Sequence, residues 1–268
     1  MSSVSSKTLY SFPVQVRPLL QDNRAKVFAA SSVLLFAPLL RYVYLDYKAW
    51  YNLGISGVSH NFRGWLLQTI LQLIAKETLN PEYFDEPAVI AQAGKYGDNS
   101  FLKEEDVPQR EPPRPVVGYW TVPQRQLNQN PSEEMKERVR VYIKSTASAS
   151  QGTLFPASSN LEPSAAALFL SPSKDANSQP VYPHNPARKV KGEIGHIHDA
   201  DGSLHVSLAP KDAKLVIERG WGQRHSLVRM FHPGYMMIYG PRNEEEIAVV
   251  EKIIDAGARF MSGGPGNK

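Results

Sequence analysis

The longest apolar run lies near the N-terminus. Residues 27–40 carry no charge, Arg41 interrupts the run, and Tyr42, Val43, Tyr44 and Leu45 extend it. A membrane-spanning helix needs about 20 apolar residues. Residues 27–45 approach that length when Arg41 snorkels to the interface. Tyr42, Tyr44, Tyr47, Trp50 and Tyr51 follow like an interfacial aromatic belt, and membrane helices tolerate an internal proline such as Pro38. The pattern predicts a polar tail over 1–26, a membrane helix over 27–45 and a folded domain over 46–268. A buried core helix and a cleaved signal peptide are the alternatives. A second apolar stretch, 65–74, places Leu66, Ile70, Leu73 and Ile74 on one helical face, widened by Leu67 and Leu71. It is too short to span; the expectation is a core helix, with a membrane-hugging helix as the alternative.

Residues 103–131 are rich in Pro, Gln, Arg and Glu and read as extended, with 116–122 a short strand. Asn130 and Pro131 then suit the cap and first turn of a helix whose apolar stripe is Met135, Val139 and Tyr142. Residues 165–170 read as a buried strand. The segment 193–208 alternates on both sides of Asp201-Gly202, the pattern of a β-hairpin. His196 and His198 share one face of its first strand, and His205 and Ser207 share a face of the second. A short helix is predicted over 211–219, between Pro210 and Gly220, then a polar loop over 221–225 and a strand over 235–239. The last helix opens with Asn243 as N-cap and Glu246 three residues on, and buries Ile247, Val250 and Ile254. The fold class expected is α+β: a small antiparallel sheet with flanking helices, preceded by the hydrophobic N-terminal helix.

Composition narrows the functions. The chain is 42% hydrophobic and 21% charged, which excludes a wholly disordered chain and a polytopic membrane protein. A net charge of +4 over 268 residues gives no warrant for a nucleic-acid partner. With no cysteine there is no disulfide, thiol nucleophile or thiolate metal site. That absence, with the lack of an Asn-x-Ser/Thr sequon, favours a cytosolic catalytic part on a single-pass membrane protein.

Six of the seven histidines fall between residues 184 and 232. His196, His198 and His205 on neighbouring strands offer three imidazoles to iron or zinc. The same histidines, with His225, also suit acid–base work on an acidic enol without metal, Arg224 and Arg242 holding the anion. The plain alternative is that each strand histidine is only hydrogen-bonded, that Glu244, Glu245 and Glu246 are a solvated helix start, and that Trp221 is packing.

The segment from Glu193 to His198 with Asp199 and His205, the run Gly220-Trp221-Gly222-Gln223-Arg224-His225, the run Pro241-Arg242-Asn243-Glu244-Glu245-Glu246 and the earlier Asn61-Phe62-Arg63-Gly64 together resemble the fungal luciferase family. The resemblance extends over about 27–260 and is densest over 189–260. It implies a membrane-associated protein that adds O2 to 3-hydroxyhispidin, a hydroxylated pyrone. The product is a cyclic peroxide that loses carbon dioxide and leaves an excited oxyluciferin; O2 is the co-substrate, and neither flavin nor ATP takes part. The family also includes relatives with no known luminescence. The expectation is a luciferase-like oxygenase acting on an enolic, aromatic or pyrone-type small molecule. His196, His198, His205, Arg224 and His225 are its candidate catalytic residues, and Asp199, Trp221, Gln223, Tyr239 and Arg242 its candidate substrate contacts. No metal is expected in this reading; a metal-dependent oxygenase or hydrolase, or a non-catalytic binding module at the membrane, are the rivals.

Overall fold

A computed structural model describes residues 16–264 and 266; the first fifteen residues of the expected polar tail lie outside the described residues. The chain divides into two units, 1–49 and 50–268. The first is the helix α1 (Val16–Tyr51), which begins well before residue 27, runs through Pro38 and continues past residue 45. No glycine or second proline follows Pro38 until Gly54, whose φ of +89° lies in the left-handed region just past the helix end. Among the described residues it is the one helix long and apolar enough to cross a membrane, over Lys26–Tyr51. Phe28, Leu34 and Leu40 on it are exposed.

The second unit is α+β, as the pattern predicts. Its strands are β1 (Leu154–Ser158), β2 (Ala166–Leu170), a small ribbon of β3 (Ser173–Lys174) and β4 (Pro180–Val181), β5 (Glu193–Ile197), β6 (Leu204–Ser207), β7 (Gly222–Arg224) and β8 (Tyr235–Ile238). Six of them form one antiparallel sheet in the order β1-β2-β5-β6-β8-β7. The helices are α2 (Phe62–Leu71), α3 (Pro87–Gln92), α4 (Glu133–Ala149), α5 (Asn185–Lys189), α6 (Pro210–Glu218) and α7 (Glu244–Ser262). α4 and α7 cover one face of the sheet. There Val139, Ile143, Val250 and Ile254 meet Leu168, Ile194, Val206 and Met236 in the core. α7 starts as expected, with Asn243 Oδ1 accepting from the Glu246 N–H (2.9 Å).

Four expectations are corrected. The α4 cap is Ser132, whose Oγ accepts from the Met135 N–H, rather than Asn130; Pro131 is instead packed against Gly202 and Gly240. The polar loop expected over 221–225 contains the edge strand β7. The strand expected over 116–122 reduces to a single bridge, Val117 to Gln126, and β1, an exposed edge strand containing Pro156, takes its place in the sheet. The core helix expected over 65–74 is α2 and the turn after it, but Trp65 and Gln68 are its buried side chains. Leu66, Leu67, Ile70, Leu73 and Ile74 are exposed.

Candidate active site

The face of the sheet away from α4 and α7 carries the histidines. β5 and β6 pair so that His196 lies directly across from His205, which places the two on one face. On the other side of His196 is Ala167 of β2, whose small side chain leaves room. The register between β2 and β5 slips by one residue: Leu168 is opposite Gly195, but Phe169 is opposite Glu193. This bulge turns Ile194 and Gly195 together toward the core side, so Glu193 and His196, three residues apart, meet on the histidine face. Glycine is needed at 195, because a Cβ there would lie 2.5 Å from the His205 carbonyl oxygen. The turn beyond is closed by His198 N–H donating to Ser203 O (2.8 Å) and Gly202 N–H donating to His198 O (3.0 Å). Gly202 has the positive φ, +69°, that such a turn asks of its glycine.

Each of the three imidazoles is held by an acceptor on Nδ1. His196 Nδ1 donates to Glu193 Oε1 (2.6 Å). Ser159 Oγ and the Asn160 N–H donate to the same carboxylate at 2.7 and 2.9 Å. Burial pushes the Glu193 pKa up, but the hydrogen bonds from His196, Ser159 and the Asn160 N–H outweigh it and hold Glu193 below the usual carboxylate range. Ser203 donates its one proton to Asp201 Oδ2 (2.7 Å), so its contact with His198 Nδ1 at 2.9 Å is one in which the histidine donates. The Met236 carbonyl, 3.2 Å from His205 Nδ1, can only accept. In all three rings Nδ1 therefore carries a proton; burial keeps His198 and His205 neutral, so their lone pair sits on Nε2. Ring centroids are 4.8 to 5.3 Å apart, and one ring nitrogen from each of the three lies within 4.8 Å of the others. Desolvation, with the Arg125 charge adding to it, pushes His198 and His205 well below the ordinary histidine pKa.

Two of these rings, His196 and His205, border a cavity of about 400 Å³. His196, His205, His225, Tyr235, Arg125 and Glu162 belong to its polar wall, and Leu67, Leu71, Leu227 and Phe231 to its apolar one. His225 Nδ1 accepts from the Leu227 N–H (3.0 Å), and burial lowers its pKa to about 3. The ring is neutral and its proton is on Nε2, which makes it a hydrogen-bond donor rather than the base the sequence suggests. The Tyr235 hydroxyl is buried with no partner among the described residues. Burial, reinforced by the nearby carboxylates, keeps it protonated far into the alkaline range.

Of the residues the sequence singles out, His196, His198, His205 and His225 come together. The others do not join them. Arg224 is directly across from Met236, a core-side residue, so the register turns it away from His205. Its guanidinium lies 3.6 Å from the centroid of the Tyr83 ring and donates to the Glu77 carbonyl. Trp221 donates its indole N–H to Pro108 O (2.6 Å) and is packed in the core. Asp199 is at the surface, paired with Arg140 (2.9 Å). Arg242 is bound to Glu246 at the start of α7, its Nε donating to Oε1 at 2.7 Å. Gln223 accepts from the Tyr239 hydroxyl (3.1 Å); both line a neighbouring cavity of about 380 Å³ that shares Gln124 with the first.

The cation at the histidine cavity is Arg125, which sequence reasoning passed over. It donates to both oxygens of Glu162 at 2.6 Å and lies 3.9 Å from Asp201. Glu162 Oε2 is 3.9 Å from His198 Nε2. The signal available was two charged residues inside segments otherwise dominated by Pro, Gln and Ser.

Residues 191–257 match the family model described as Luciferase domain. The chain is 34% identical over 253 residues to a luciferase of Armillaria mellea, covering 90% of this chain and 88% of that protein. It is 32% identical over 260 residues to a luciferase of Neonothopanus nambi, covering 92% and 91%. No solved structure matches the chain.

Proposed function

The chain belongs to the fungal luciferase family, and from that premise we propose that it is an oxygenase adding O2 to an enolic aromatic or pyrone-type small molecule in the histidine cavity. The observation that carries the reading is that one cavity is bordered by buried histidines together with two protonated donors, Tyr235 and His225. Ground-state O2 is a triplet and reacts slowly with closed-shell molecules. An electron-rich enolate can itself give an electron to it, so the reaction as proposed runs without an organic cofactor. What the protein supplies is a site that draws off the enol proton, donors for the oxyanion and exclusion of water. The Tyr235 hydroxyl and His225 Nε2–H serve as the oxyanion donors. Arg125 stays paired with Glu162 and sets the field at the back of the cavity. The substrate we propose is 3-hydroxyhispidin or a related enol, received by a cavity of about 400 Å³ with one polar and one apolar wall; a dark tailoring enzyme of fungal secondary metabolism would use the same machinery. α1 is proposed as a single-pass anchor with the catalytic unit in the cytosol, on the length and apolarity of Lys26–Tyr51.

The test is oxygen uptake by the detergent-solubilised full chain with 3-hydroxyhispidin, with emitted light recorded in parallel. Uptake is expected, and Tyr235→Phe should lower kcat by roughly 10²-fold, the usual cost of one oxyanion donor. Light with uptake identifies a luminous reaction; uptake without light identifies a dark oxygenase. Absence of uptake with this compound and with a panel of enolic pyrones would overturn the reading.

A further inference from the structure

We infer that His196, His198 and His205 form a binding site for one divalent first-row transition-metal ion, with its remaining coordination positions open to the cavity. The inference goes beyond the proposed reaction and does not depend on it.

Three observations carry it. First, the lone pairs are unmatched. With Nδ1 committed to Glu193, Ser203 and Met236, Nε2 is the nitrogen each ring has left for an ion. His198 Nε2 is buried and has no hydrogen-bond partner among the described residues. A buried acceptor without a donor costs about 1–3 kcal/mol, and nothing in the packing of a hairpin requires three histidines to cluster at that cost. Second, the support is of the kind that metal-bound histidines have. Such a ring donates its other N–H to a carboxylate, a carbonyl or a comparable acceptor, which fixes both tautomer and orientation. Here a carboxylate, a carbonyl and a hydroxyl that itself leans on Asp201 do so, one for each ring. Third, one nitrogen from each ring already lies within 4.8 Å of the other two. Bonds of about 2.1 Å to a common ion put paired nitrogens roughly 3–4 Å apart, so loading asks for side-chain shifts of the order of an ångström.

The donor set selects the ion. Imidazole nitrogen suits zinc, iron, copper and nickel, whereas magnesium and calcium take oxygen ligands. His196 and His205 line the cavity, so an ion bound to them is within reach of whatever occupies it. Glu162 Oε2 lies 3.9 Å from His198 Nε2; its pairing with Arg125 leaves the three rings as the ligand set. With all three lone pairs on an ion, none of these rings serves as a free base. In the metal-loaded chain these rings act as ligands, and the proton-accepting role proposed above belongs to the metal-free chain.

The experiment uses the detergent-solubilised full chain and needs no substrate. The protein is stripped with a chelator, titrated with Co²⁺ while visible d–d absorption is followed, and analysed for bound metal after desalting. About one equivalent per chain with a ligand-field spectrum is the expected result. His198→Gln and His205→Gln should each lose the spectrum. Glu193→Gln should weaken binding about 10–100-fold, the usual effect of altering a supporting partner. His232→Gln, a buried histidine outside the cluster, should bind as the wild type does. If a histidine variant fails to fold, the wild-type stoichiometry and Glu193→Gln still decide. No cobalt spectrum in the wild type, or retention unchanged in both His198→Gln and His205→Gln, overturns the site. Because the readout is binding alone, a failure here is distinct from a failure to consume oxygen.

Discussion

At the scale of single residues, burial sets which protons this unit can carry. His232 is fully buried, neither ring nitrogen has a partner among the described residues, and desolvation, then His184 and Lys189, lower its pKa to about 3. In the unfolded chain the same ring titrates near its ordinary value of about 6.5. Between those values the unfolded state binds one more proton than the folded state. Stability is therefore complete above about pH 6.5 and is lost as pH falls toward 3, at about 1.4 kcal/mol per pH unit for this group. His225, also lowered to about 3, adds a second proton over the same window. His232→Leu should leave stability at pH 7 equal or higher, and flatten its fall between pH 6 and 4 by one proton. Denaturant unfolding across a pH series checks this, and an unchanged slope sinks it. The residues legible in advance were those with a repeated spacing: His196, His198 and His205 sit on an alternating hairpin. Arg125 and Glu162 were not legible. They are 37 positions apart, in segments with no periodicity, and only the fold brings them together.

At the scale of elements, α2 shows what a periodic pattern does and does not say. Its spacing marks a helix with an apolar face, and the helix is there. Periodicity alone does not say what that face meets. Trp65 is buried, while Leu66, Ile70 and Leu73 project outward. Polar substitutions at those three positions, made singly, should shift stability by less than about 0.5 kcal/mol, whereas Trp65→Ala should cost about 3–5 kcal/mol. Thermal melts of the four variants compare them, and a large loss at Leu66 or Ile70 would restore the core-helix reading. The hairpin of β5 and β6 was fully legible because alternation and Asp201-Gly202 agree. Its bulge was not, although Gly195 inside a strand is the kind of residue that marks one. β7 escaped because two polar residues and a glycine carry too little alternation to separate a short edge strand from a loop. That omission also hid the register that turns Arg224 from the histidines.

At the scale of the whole molecule, the apolar residues fall into two groups with different uses. The large apolar residues of α1 from Val27 to Leu45 are mostly exposed along the helix, and those of the sheet, α4 and α7 make a closed core within the second unit. Trp50, at the start of that unit, is buried, with its indole N–H on the Val122 carbonyl at 2.8 Å. The core and all the cavity residues lie beyond residue 49, so the second unit has what it needs to fold by itself. A chain beginning at Trp50 should then melt within a few degrees of the full chain and keep the cobalt spectrum of the histidine site. The full chain should stay with the membrane fraction through a carbonate wash, and the shortened one should leave it. Fractionation with and without the wash reads the anchor, and the melt reads the fold. A shortened chain that is folded but resists the wash would move the attachment from α1 to the exposed face of α2. One that does not melt cooperatively would show that the first unit contributes to the fold rather than only to its location.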